Sequence, residues 1–246
     1  MSPFFTILYQ PMFNLLVWLY DVLPGNDIGF AIIVLTIILK FLLAPLSHKT
    51  LVSQRAMQQL QPKIKELKAK YTDKQEQAKA MMELYKQEKV NPLASCLPLI
   101  VQLPILIVLY KVLMDGLGTA NFDVLYNFVQ NPGHIDGMFL NTFNLTTPSI
   151  LLAVLAGAVQ FVQAKMLPRQ KPPKPVEGST GSKDEEMMVA MNRSMTYFMP
   201  VLTVLIGASL PGGLALYWLM SNLFSIGQQM IVFKGYGRVK AQPNGS

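Results

Sequence analysis

The stretch FAIIVLTIILKFLLAPL, residues 30–46, decides the fold. Sixteen of its seventeen residues suit the interior of a bilayer, and the seventeenth is Lys40. A lysine near the middle of a membrane helix costs roughly 2.5–3.5 kcal/mol on insertion-derived scales, so its presence asks for a function. Around this stretch the rest of the chain has the same character. It is 51% apolar and 14% charged, whereas a soluble domain carries about a quarter charged residues. The apolar residues fall into blocks near the ~20 residues that cross a bilayer as a helix. These blocks predict an all-α polytopic membrane protein with a five-span helical core and a cytoplasmic helical hairpin.

The expected order is a helix on the outer surface (1–27), a first span (28–46), the hairpin (47–94), a second span (95–114) and an outer loop (115–146). A third span (147–167), a flexible cytoplasmic loop (168–194), a fourth span (195–210), an outer turn (211–213), a fifth span (214–233) and a cytoplasmic tail (234–246) follow. Orientation comes from the basic residues. Residues 47–92 hold ten Lys and Arg, 168–194 hold five and the tail three, whereas 1–27, 115–147 and 211–213 hold none. By the positive-inside rule the N-terminus lies outside and the C-terminus in the cytoplasm. The net charge of +7 then reads as a topology signal and an attraction to anionic surfaces.

The first 27 residues lack a basic n-region and a small-residue cleavage site, so a signal peptide is not expected. Their apolar run from Met12 to Leu23 is bracketed by Pro11 and Pro24. It is short for a span, which favours an amphipathic helix on the outer surface over a sixth crossing. The single cysteine, Cys96, excludes an intrachain disulfide.

In the hairpin, Leu60, Ile64, Leu67 and Tyr71 form a narrow apolar stripe at helical spacing. Asp73 with Glu76 offers a capping-box-like start for a second helix, which places Ala78, Met81, Met82 and Tyr85 on one side. Its charges serve either as a solvated face or as a docking surface, with Lys63, Lys65, Lys68, Met81, Met82 and Tyr85 as the candidate docking residues. The proline- and charge-rich segment 168–186 reads as a linker. Its GSTGSK (178–183) lacks the spacing and the strand–helix setting of a phosphate loop.

Catalytic readings find no support. The spans contain no Asp or Glu, and His48 and His134 lie outside them on opposite sides. Paired carboxylates, a Ser–His pair and a His metal cluster are therefore not available, and neither an enzyme nor a cofactor nor a metal is expected. What remains is Lys40 among uncharged polar residues. Thr36 lies one turn before it on the same helix face. The other spans carry Gln102, Gln160, Gln163, Ser209, Ser221, Asn222, Ser225, Gln228 and Gln229. Lys40 either snorkels to the inner interface or faces a hydrated cavity. An intramembrane ion pair lacks a carboxylate. The candidate groove residues are Lys40, Thr36, Gln102, Gln160, Gln163, Ser221, Asn222 and Gln228. Lys111, near the outer end of its span, reads as an interfacial lysine.

Four stretches carry a resemblance. KVNPLASCLPLIVQLPILIVLYKVL (89–113), with Asn91-Pro92, Cys96, Pro98, Gln102, Pro104 and Leu109-Tyr110, resembles the second conserved span of the YidC/Oxa/Alb family of membrane protein insertases. LPGGLALYWLMSNLFSIGQQMIVFK (210–234) resembles the family's last span, MTYFMPV (195–201) the start of its fourth, and LQPKIKELKAKY (60–71) its hairpin. The resemblance implies five helices around a hydrophilic groove open to cytoplasm and lipid but closed on the outer side. A basic residue projects into that groove from the first core span. Lys40 matches that position, where the family usually has arginine; the charge is kept but the planar guanidinium is lost. It also implies a short bacterial-type member, without a large outer domain, in the plasma membrane. The activity it implies is insertion of membrane proteins without nucleotide hydrolysis. The implied partners are nascent membrane proteins and the lipid bilayer, with the ribosome, signal recognition machinery and Sec translocon as further candidates. The rival readings are a transporter or channel using the same cavity, and a structural scaffold.

Overall fold

The computed structural model describes residues 3–71, 73–88, 90, 97–119, 122–166 and 196–240. Cys96, Asn91-Pro92, the whole of the expected cytoplasmic loop 168–194 with its GSTGSK, and the side chains of Lys65, Lys68 and Ala78 lie outside the described residues.

The described chain is helical apart from one pair of two-residue strands, Met138–Phe139 and Phe143–Asn144, in the long loop. In chain order the helices are α1 (Pro3–Val22), α2 (Ile28–Gln59), α3 (Gln61–Lys70), α4 (Lys74–Gln87) and α5 (Leu97–Met114). They continue with α6 (Ile150–Met166), α7 (Thr196–Gly207) and α8 (Gly212–Lys240). The segments Ile28–Met57 and Ile100–Leu117 are long and apolar enough to cross a bilayer, and α6 and α7 are shorter apolar helices. Large apolar side chains point outward along their surfaces, such as Leu42, Ile107, Ile150 and Leu205. In water that would be a liability, and lipid is the solvent it suits.

Several boundaries differ from the expected ones for local reasons. Helix α2 runs past residue 46 to Gln59 with Pro45 inside it, although the proline removes one backbone donor. Pro11 sits inside α1, which begins at Pro3. Gly212 and Gly213 are the first residues of α8, not a separate turn. The chain leaves α5 through a π-helical turn, Asp115–Thr119.

The core lies at the end of the bundle that carries the 115–147 loop, termed the loop end. There α1 buries Met12, Phe13, Leu16, Val17 and Leu19, α2 buries Ile28, Ala31, Ile32 and Leu35, and α5 buries Val108, Leu109, Val112 and Leu113. The start of α8, Leu214–Tyr217, joins them. Gly213 allows this convergence: a Cβ there would stand 3.1 Å from Ile32 Cδ1 and 3.3 Å from Leu113 Cδ1. Its neighbour's backbone is equally confined, since Gly212 N–H donates to the Thr147 carbonyl at 2.9 Å and Gly213 N–H to that of Leu145 at 3.0 Å. Thus two of the orphan donors at the start of α8 are satisfied by the loop. Helix α7 packs on α6 through small residues. A Cβ on Gly157 would approach the Pro200 carbonyl oxygen to 2.9 Å, and one on Gly207 would approach Ala153 Cβ to 3.2 Å. Close backbone approach of this kind is how membrane helices gain packing energy without a hydrophobic driving force.

At the opposite end, α3 and α4 form a helical hairpin. Leu60 and Ile64 of the apolar stripe are buried, and Leu67 and Tyr71 are half-buried. Asp73 caps α4, its Oδ1 accepting from Gln75 N–H at 3.4 Å. Lys63 pairs with Glu88 across the hairpin.

Candidate functional site

Helices α2 and α8 start together at the loop end and run parallel, so their polar residues align in layers. In the first layer Thr36 and Ser221 are buried. Thr36 turns back on its own helix, its hydroxyl donating to the Ile32 carbonyl at 2.6 Å. That satisfies the hydroxyl and takes it out of the exposed set of polar groups. Gln102 of α5 donates through Nε2 to the Tyr217 hydroxyl of α8. This joins the two helices where the apolar core ends.

One layer further, Lys40 is half-buried. Its Nζ donates to Ser225 Oγ at 3.2 Å, and Ser225 in turn donates to the Ser221 carbonyl at 2.8 Å. Among the described residues no carboxylate pairs with Lys40. An ammonium has three donors, and a serine that accepts one leaves the others for water or for another molecule. The next layer ties α8 to α2 again, Gln228 Nε2 donating to the Ala44 carbonyl at 3.2 Å.

The other wall is α6. Asn222 Nδ2 donates to the Ala156 carbonyl at 3.4 Å, which sets α6 parallel to α8 with residue 156 beside 222. On this register Gln160 lies at the level of Lys40 and Ser225, and Gln163 near Gln229. Both Gln160 and Gln163 are half-buried. The Oε1 atoms of Gln54, Gln160 and Gln229 are buried and have no hydrogen-bond partner among the described residues. An unpaired buried amide oxygen costs free energy unless water or a ligand donor reaches it.

Packing around this polar set is loose. None of the described residues 37–49 of α2, 158–166 of α6 or 100–104 of α5 is buried. The same helices are fully packed a few turns away, at the loop end. The arrangement therefore offers one cation, several amides and three unmatched acceptors on helix faces that do not close on one another. Such a surface can hydrate and weakly bind peptide groups and carboxylates. It holds no paired acid and base, and among the described residues no group of three or more His, Cys, Asp or Glu that would hold a metal.

The structure thus brings Lys40, Ser221 and Gln228 to one α2–α8 seam and Asn222, Gln160 and Gln163 to the α6 side. It sets Gln102 at the closed boundary and turns Thr36 inward. Sequence reasoning named Ser225 among the polar residues without singling it out as the partner of Lys40, and it passed over Gln54. Serine spacing at 221 and 225, one helical turn apart, was the available signal. In the hairpin, Met82 is exposed, and Met81 and Tyr85 are half-buried. Burial raises the Tyr85 hydroxyl above its ordinary pKa. Lys63 is engaged with Glu88.

Residues 18–239 match the 60Kd inner membrane protein family. Among curated proteins, the chain is 38% identical over 233 residues to the membrane protein insertase YidC of Pelobacter propionicus, covering 94% of this chain and 39% of the relative. To the insertase YidC of Brucella melitensis it is 36% identical over 242 residues, covering 95% of this chain and 36% of the relative. The chain therefore spans less than two-fifths of the length of these relatives. A crystal structure of an active YidC insertase, with its first transmembrane domain resolved, superposes with a TM-score of 0.59 at 24% identity. The match covers 95% of this chain and 47% of that one, and it establishes the helical fold.

Proposed function

The chain belongs to the 60Kd inner membrane protein family, and from that premise we propose that it inserts newly made proteins into a bacterial plasma membrane without hydrolysing nucleotide. Five helices, α2, α5, α6, α7 and α8, span the bilayer, with the loop end outside and the hairpin and C-terminus in the cytoplasm. Helix α1 packs at the outer end. Its exposed Ile7, Pro11, Trp18 and Val22 recur on one face, which suits contact with the outer leaflet.

The observation that carries the reading is Lys40, held among the described residues by Ser225 and no carboxylate, at the depth where the helix bundle passes from closed to loose. Thermodynamics favours insertion, since an apolar segment gains about 25 cal/mol per Å² on leaving water. The barrier is the polar flank, which must cross hydrocarbon. A hydrated groove between α2, α6 and α8, open to cytoplasm and lipid, shortens that crossing. Lys40 attracts carboxylates and carbonyl dipoles in the flank, Gln160 and Gln163 keep the α6 wall wet, and the apolar segment leaves sideways into lipid. Weak contacts suit release. Exposed Met82, with Met81 and Tyr85 beside it, gives the hairpin an apolar spot among charges, which suits reception of substrate or docking of a ribosome, targeting factor or translocon.

The test is insertion of single-spanning proteins into proteoliposomes, comparing an acidic with a neutral outer tail. Lys40→Glu lowers insertion of the acidic-tailed protein by about tenfold relative to the neutral one, equivalent to ~1.4 kcal/mol. Equal loss for both tails removes the electrostatic role of Lys40. Substrate-independent solute flux through the wild-type protein would instead favour a channel.

A further inference from the structure

We propose that α1 and the loop segment 122–136 form one hydrogen-bonded seal over the loop end of the bundle, with Asn14 as the positioning residue that keeps it shut. Asn14 is 2% exposed and sits beside fully buried Phe13 and Val17. Leucine would fill the same space, and a buried amide is costly unless its groups are matched. Two of its three hydrogen bonds are directed at the loop. Asn14 Nδ2 donates to the Val124 carbonyl at 3.0 Å as well as to Gln10 within its own helix at 2.8 Å. Its Oδ1 accepts the Tyr126 N–H at 2.6 Å.

Two further points on α1 hold the same segment. Gln10 Nε2 donates to the Val124 carbonyl at 3.2 Å, and the Tyr20 hydroxyl accepts the Asp136 N–H at 3.0 Å. From Gln10 to Tyr20 these attachments run along about 15 Å of helix. The segment between them has almost no regular structure, so its backbone groups need partners from elsewhere. Side chains of α1 supply them. Beneath the segment Val129, Ile135 and Leu145 are buried, and beyond it the loop carbonyls of Leu145 and Thr147 receive the first N–H groups of α8. The loop is therefore fastened to α1 on one side and α8 on the other, across the end where α2 and α5 converge on Gly213. Helix α1 is a working part of that closure as well as a membrane-facing surface. The seal's physiological use, keeping a hydrated inner half from leaking outward, rests on the insertion reading; its existence does not.

The experiment uses the full chain in proteoliposomes, with Cys96→Ser removing the native thiol and Ile135→Cys placed under the segment. A membrane-impermeant thiol reagent labels this cysteine slowly in the parent. With Asn14→Leu added, labelling accelerates by about tenfold or more, as local opening becomes cheaper, and passive proton leak rises in parallel. Labelling of Phe41→Cys, in the loose half, stays constant. Gln10→Ala, which removes one attachment without disturbing the buried site, gives an increase of about two- to threefold. It decides the matter if Asn14→Leu does not accumulate in the membrane. Unchanged labelling and leak in both variants overturn the proposal. A protein that fails to insert substrates yet shows the labelling pattern refutes the insertion reading and leaves the seal standing.

Discussion

The loop half and the hairpin half of the same helices are built on opposite principles. In α2, Ile28, Ala31, Ile32, Leu35 and Thr36 are all within 1% of full burial, yet none of the following thirteen residues, 37–49, is buried. Helices α5 and α6 show the same change along their length, while α8 keeps Gln229 and Val232 buried beyond it. The loop half is a close-packed protein interior, where one methylene matters. The loose half leaves the α2 and α6 side chains around Lys40 and Gln160 short of full burial. A protein that must admit a foreign chain without becoming a pore needs both, at different depths. The glycine at the start of α8 draws the helices together at one end, and the lysine–serine contact leaves them separable at the other.

The strongest way to break the comparison is to truncate equivalent rings in the two halves. Phe13 in α1 is 0% exposed and Phe41 in α2 is 64% exposed. Phe13→Ala is expected to cost about 3–5 kcal/mol in unfolding free energy. Phe41→Ala loses only its edge-to-face contact with Phe224, about 0.5–1.5 kcal/mol. Chemical denaturation in mild detergent measures both. Equal losses would mean that the two halves are packed alike.

Glycines sharpen the same contrast with a change of sign. Gly213→Val places methyl groups against Ile32 and Leu113, whose terminal carbons already lie within 3.3 Å of the new Cβ position. Overpacking of this kind costs about 1–3 kcal/mol. Gly227, further along α8, has nothing within 4 Å of the equivalent position. Gly227→Ala is expected to stabilise by about 0.5–1 kcal/mol through helix propensity alone. If Gly227→Ala proved destabilising, the loose half would hold a close neighbour that the geometry does not contain.

Much of this was legible in the chain itself, and the reasons for the remainder are physical. Block hydropathy located the apolar helices because bilayer thickness dictates their length. The hairpin stripe and the Asp73 cap follow from local rules that need no tertiary context. Lys40 stood out because a charge among seventeen bilayer residues is expensive. The burial gradient was not legible, because the membrane half of α2 and all of α5 are apolar on nearly every face and periodicity cannot say which face meets protein and which meets lipid. For the same reason Pro11 looked like a boundary, although α1 passes through it. Asn14 in the run Met12 to Leu23 drew no notice, since a lone amide reveals its partners only when the loop returns over a hundred residues later. Ser225 is similar: its tie to Lys40 spans 185 positions, beyond any local pattern.

The smallest expected effect tests whether the two halves move independently. Lys63 and Glu88 pair at the exposed end of the hairpin, with side chains 56% and 36% exposed. Such pairs contribute about 0.2–1 kcal/mol and are screened by salt. Lys63→Ala should therefore speed hydrogen exchange of α3 and α4 amides by a few-fold at low ionic strength, and much less at about 1 M salt, where the Debye length falls to ~3 Å. Amides of α1 and of the start of α8 should exchange at their original rates, because among the described residues α3 and α4 pack mainly on each other and on α2. Acceleration there would show that loosening one half loosens the other. The division of labour would then be a single cooperative unit, and opening toward the hairpin would necessarily strain the seal.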